Sequence, residues 1–116
     1  MFALQLRLLR AARAFLDPMV NLGRMTPEEA KALIMREAVY SEPFAQQEAD
    51  RYAFDVPGQA VSYYYGYTHI RALRVKAELA LGPRFDQQKF HDLVLAQGLL
   101  PPKLLERAVM EEISRN

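Results

Sequence analysis

Apolar residues recur along this chain at intervals of three and four, the spacing of one face of an α-helix, and no stretch gives a convincing strand. From Phe2 to Leu16 the pattern predicts a helix with a buried stripe of Leu4, Leu8, Leu9, Ala12, Phe15 and Leu16, and sets Arg7, Arg10 and Arg13 together on another face. Thr26-Pro27-Glu28-Glu29 is a capping box: a hydroxyl at the cap, a proline whose missing N–H costs nothing at the first helical position, and a carboxylate three residues after the cap. It starts a helix with Ala30, Leu33, Ile34 and Ala38 inward. Ser41, before Glu42-Pro43, begins another, with Ala45, Ala49, Tyr52 and Ala53 on one face. This one ends near Asp55, because Pro57 disfavours helix at the residue before it. Pro57 predicts the start of a long helix running to about Leu81, before Gly82. Asp86 caps Gln87 to Gln97, closed by Gly98, and Pro101-Pro102 opens a last helix with Leu104, Leu105, Ala108, Val109 and Ile113 apolar. The expected fold is all-α, about six helices in an irregular bundle, forming a single helical domain or domain fragment over residues 1–116.

The most constrained stretch is Pro57-Gly58-Gln59-Ala60-Val61-Ser62-Tyr63-Tyr64-Tyr65-Gly66. A glycine inside a helix costs about 1 kcal/mol relative to alanine, so Gly66 predicts that another backbone or a ligand approaches closely there, flanked by the tyrosines.

Composition narrows the function classes. The formal net charge is +1, from 15 basic and 14 acidic residues, so no global field draws the chain to nucleic acid or to an anionic membrane. The charge is nevertheless blocked. Met1 to Met25 is basic and Thr26 to Asp55 acidic, which predicts attraction between the two segments. The chain has no cysteine, which excludes disulfides and thiolate metal sites. No apolar run approaches the ~20 residues needed to span a bilayer. The three arginines interrupting the N-terminal apolar pattern do not suit a secretory signal, and the compartment stays unknown.

Together these features resemble the bacterial domain-of-unknown-function family numbered eight-eight-five, whose members look like helical zinc metallopeptidases. The resemblance is carried by Leu9-Arg10-Ala11-Ala12-Arg13 and Asp17, by Met25 to Ala30, by Glu48 with Arg51-Tyr52, and by Pro57-Gly58-Gln59-Ala60 with Ser62-Tyr63 and Gly66. It continues through Leu73-Arg74, Leu81-Gly82, Phe85-Asp86, Phe90-His91-Asp92, Gly98 and Leu100-Pro101. The matches correspond to the C-terminal part of the family's longer chains. The resemblance therefore implies a larger metallopeptidase-like fold and zinc as the cofactor of the full-length proteins. The His-Glu-x-x-His helix that would hold that zinc is not in this sequence, and no metal ligand is assigned here.

What the resemblance implies for this segment is substrate binding and oxyanion stabilisation. Tyr63 is the candidate catalytic residue, as a hydroxyl donor to the oxyanion, with Arg51, Gln59 and Tyr67 as substrate-binding candidates. From spacing alone, Tyr63 and Tyr67 could equally form an aromatic pair in the core, four residues apart on one helix. Arg51 could clamp a substrate carboxylate or pair with Asp55 or Glu48. His69 suits a partly exposed helical position and His91 a packed, hydrogen-bonded one. One departure stands out: the family commonly shows a histidine where this chain has Asn21. Two functions compete. One is part of a zinc-dependent hydrolase of peptides or related amides, inactive alone; the other is a non-catalytic helical interaction or dimerisation module. The expected partners are a second copy or an N-terminal catalytic portion, with a peptide-like substrate and neither nucleic acid nor membrane. Apolar surface around Phe2, Leu6, Leu9 and the Tyr63 to Tyr67 face is where such a partner is expected.

Overall fold

The computed structural model describes residues 2–115, and among them the chain is all-α, with six helices and no strand. The helices are α1 (Phe2–Asn21), α2 (Pro27–Glu37), α3 (Glu42–Asp50), α4 (Val61–Leu81), α5 (Gln87–Ala96) and α6 (Pro102–Arg115). A widened π-helical turn, Arg51–Asp55, prolongs α3, and a 3-10 turn, Gly82–Arg84, follows α4. The chain forms two compact units, Met1–Tyr65 and Gly66–Asn116, whose boundary falls within α4. No described helix is long and apolar enough to cross a membrane.

The first unit is built on small residues. Leu9, Leu16, Ala30, Ile34, Ala38, Ala45, Tyr52 and Ala60 form its buried cluster, and the alanines let helices approach closely around the large Tyr52 ring. The capping box is formed: the Glu29 N–H donates to Thr26 Oγ1 at 3.2 Å, and the Thr26 N–H to Glu29 Oε2 at 2.8 Å. Helix α1 departs from its expected stripe. Leu9 and Leu16 are buried and Ala12 packs against the cluster, but Leu4, Leu8 and Phe15 are exposed. Leu9 is thus core and not a partner surface, while the Phe2 side chain lies outside the described residues. The helix also runs on through Pro18 to Asn21, because a proline withholds one N–H yet leaves the following turn able to bond: the Leu22 N–H reaches Pro18 O at 2.9 Å.

The expected helix start at Pro57 is corrected to Val61. Gly58 takes φ +79°, in the left-handed region where a right-handed helix cannot begin, so Pro57 to Ala60 form a turn that aims backbone N–H groups inward. Nor does another backbone among the described residues approach Gly66, since a Cβ built there would meet no protein atom within 4 Å.

In the second unit Leu73, Ala77, Phe90, Leu105 and Val109 form the core, joined by Phe85, Leu93, Val94, Met110 and Ile113. Asp86 caps α5 as expected, accepting from the Lys89 N–H at 2.9 Å, and Gly98 follows at φ +68°.

Candidate functional site

The polar chemistry of the first unit begins with a buried acid. Asp17, at the last turns of α1, is fully buried, and a buried carboxylate persists only with its oxygens satisfied. Its Oδ1 accepts from the Gly58 N–H and its Oδ2 from the Ala60 N–H, both at 2.8 Å. Asn21 donates through Nδ2 to the same Oδ1 at 2.7 Å and to the Tyr52 carbonyl at 3.3 Å. The position that departs from the family pattern therefore braces the aspartate. Because Asp17 holds the residues on either side of Gln59, it fixes where that side chain projects.

A second buried network lies between α1 and α3. Arg13 donates from Nε and Nη2 to the two oxygens of Glu48 at 2.6 and 2.5 Å, a bidentate fork, and Tyr52 Oη donates to Glu48 Oε2 at 2.8 Å. This is the attraction expected between the basic and acidic segments, concentrated in one ion pair. Burial pushes the Tyr52 hydroxyl well above its ordinary pKa, and the neighbouring Glu48 charge adds to the rise. For Arg13, burial acts to lower the pKa, but the hydrogen bond and charge of Glu48 outweigh it and the net shift is upward. Both shifts keep Arg13 charged and Tyr52 protonated.

Above these networks three of the sequence candidates meet. Arg51 Nη2 donates both to Gln59 Oε1 and to Tyr63 Oη, the latter at 3.2 Å. The Tyr63 ring also faces two guanidinium groups, with Arg13 at 5.4 Å and Arg51 at 5.7 Å from its centroid. Tyr63 is 40% exposed and so is not a core residue. Arg51 pairs with neither Asp55 nor Glu48.

Tyr67 belongs to the second unit, where Arg71 Nη1 donates to its hydroxyl at 3.2 Å. His69 is half-buried and lines an apolar cavity of about 210 Å³ with Gly66, Ile70, Leu73, Leu100 and Leu105. His91 is exposed, with its ring 5.9 Å from that of Phe90, so the packed environment expected for it is absent. The residues that sequence reasoning left without a role, Asp17, Arg13, Glu48 and Tyr52, are the ones that hold the cluster in place. One signal was available for the last two: Glu48 and Tyr52 lie four residues apart, on α3 and the π-helical turn that prolongs it, hence on one face.

No curated protein and no solved structure matches the chain. A family model does match, over residues 1–109, and it is the family that the motif pattern resembles. The chain belongs to the family described as "Bacterial protein of unknown function (DUF885)".

Proposed function

We propose that this chain supplies the substrate-binding and oxyanion-stabilising part of a helical hydrolase of peptides or related amides, equivalent to the C-terminal portion of a larger metallopeptidase-like protein. The observation that carries this reading is the pair of hydrogen bonds that Arg51 Nη2 donates to Gln59 Oε1 and Tyr63 Oη. A guanidinium has only donors, so the Tyr63 oxygen is the acceptor in that bond and its own O–H is left to donate elsewhere. The adjacent positive charge strengthens that donor. A carbonyl oxygen gaining negative charge in front of Tyr63 would be met by a phenol whose oxygen is held by Arg51 and whose ring lies beneath the Arg13 guanidinium, so little reorganisation is needed at the moment of reaction.

The zinc that the resemblance implies does not fit these residues. A catalytic zinc takes three protein ligands, and among the described residues no three His, Cys, Asp or Glu side chains are gathered to hold a metal. The metal ligands and the general base belong, on this reading, to a portion outside these residues, and the chain alone does not hydrolyse peptides.

The test uses a family member that carries both a His-Glu-x-x-His motif and the equivalents of Arg51, Gln59 and Tyr63. Replacing the equivalent of Tyr63 by phenylalanine removes the donor and keeps the ring. The expected result is a fall in kcat on the order of a hundred- to a thousandfold with KM little changed. A fully active variant, or one whose loss is explained by earlier melting, overturns the assignment.

A further inference from the structure

In the first unit Arg13 pairs with Glu48 and Lys31 with Glu42, whereas the half-buried Arg10 donates to the Leu6 carbonyl at 3.4 Å. Among the described residues Arg51 has neither an acid nor a backbone carbonyl as a side-chain partner. It is half-buried, and among the described residues its partners are the neutral Gln59 and Tyr63. The carboxylates within reach along its own element are committed elsewhere or unbonded to it: both Glu48 oxygens are taken by Arg13 and Tyr52, and Asp55 makes no ion pair with Arg51. Asp17 lies fully buried beneath the loop, with its oxygens spent on Gly58, Ala60 and Asn21. Arg51 Nε is buried with no acceptor at all. A guanidinium cannot shed its charge by deprotonating, so a cation is held partly out of water without a counter-ion. Its Nη1 likewise makes no hydrogen bond among the described residues. Through Nη2 the same guanidinium touches the Tyr63 hydroxyl, whose own O–H is left to donate elsewhere.

We infer that Arg51 binds a free carboxylate of the ligand, and that the substrate class is a peptide with an unblocked C-terminal carboxylate. This rests on the reading of the site as one for peptide-like substrates. The Arg51 guanidinium touches the Tyr63 hydroxyl through Nη2 at 3.2 Å, so a carboxylate seated on the guanidinium brings the neighbouring amide of the same peptide towards the phenol. One uncompensated positive charge matches one carboxylate. Arg13 adds none, because Glu48 neutralises it. An amidated peptide would leave the Arg51 charge uncompensated and is rejected for that reason.

The experiment titrates the intact chain with N-acetyl-alanyl-alanine, with its C-terminal amide, and with an amidated N-acetyl-aspartyl-alanine, following backbone amide shifts by NMR. The acid is expected to bind at least about tenfold more tightly than its amide, and Arg51→Gln to abolish the difference. Arg51→Lys, which keeps the charge but loses the planar fork, should retain part of the preference. Circular dichroism of each variant verifies folding. Equal binding of acid and amide, no binding of either at millimolar concentration, or an acid preference that survives Arg51→Gln overturns the inference. Binding of the aspartyl amide as tight as that of the acid overturns the C-terminal assignment in favour of a side-chain carboxylate. These titrations involve no turnover, so they are separate from the Tyr63 test: acid selectivity together with a fully active Tyr63 variant would leave a carboxylate site and remove the oxyanion role.

Discussion

At the scale of single residues, the site is organised by which buried group claims which partner. Arg13 and Glu48 have side chains only 12% and 5% exposed, so each is sheltered by the other. Removing one member of such a pair strands the other charge in a medium that solvates it poorly, which costs about 3–5 kcal/mol, far more than a surface ion pair would. Arg13→Met keeps most of the side-chain volume and is expected to destabilise the chain by that order, read as a lower urea midpoint at neutral pH; a change below about 1 kcal/mol would mean that Glu48 finds another donor. Sequence shows only part of this. Arg51, Gln59 and Tyr63 are candidates through the family resemblance, and they do meet. That Arg13 and not Arg51 takes Glu48 is invisible in the sequence, since Arg51 lies three residues from Glu48 along the helix and Arg13 lies on another helix altogether. Partner choice is settled by tertiary packing.

At the scale of elements, boundaries written in side-chain chemistry are legible, and those written in backbone satisfaction are not. Thr26 and Asp86 cap helices in the structure because an oxygen beside an orphan N–H is a local arrangement. Pro57 carries a similar local signal for a helix start, and there it misleads. The Gly58 and Ala60 N–H groups are recruited by Asp17, which lies far back in the chain, and that long-range demand delays the helix to Val61. Gly66 differs from expectation for another reason, because no backbone of the described residues lies close to it. Two substitutions separate the glycines. Gly66→Ala adds a methyl group to open space within a helix and is expected to stabilise by about 0.5–1 kcal/mol. Gly58→Ala also meets no atom, yet at φ +79° it is expected to destabilise by roughly 1–2 kcal/mol. Thermal unfolding followed by circular dichroism measures both; a destabilised Gly66→Ala would show that something does pack against that helix face.

For the whole molecule, the all-α class follows from the three- and four-residue periodicity, but the periodicity of α1 does not say which apolar residues face inward. Leu4, Leu8, Phe15 and Leu22 are between 46% and 65% exposed. Leu8, Phe15 and Leu22 are seven residues apart and Leu4 four before Leu8, the spacing of a seam between two helices. Helix α1 is thus apolar on two sides: Leu9, Ala12 and Leu16 serve the core, and the second stripe faces solvent. Scattered exposed leucines need no explanation, but a continuous stripe does, because contiguous apolar surface is usually covered by a partner. A two-fold dimer lets one stripe cover its own copy. The expected behaviour is a concentration-dependent mass by sedimentation in the micromolar range, reduced to that of the monomer by Leu8→Glu. Leu8 is the residue to change because it is exposed, whereas a charge at the buried Leu9 would unfold the core and report nothing about association. A chain that sediments as a monomer at every concentration would show that α1 keeps its second stripe uncovered in isolation, and the dimer would then be wrong.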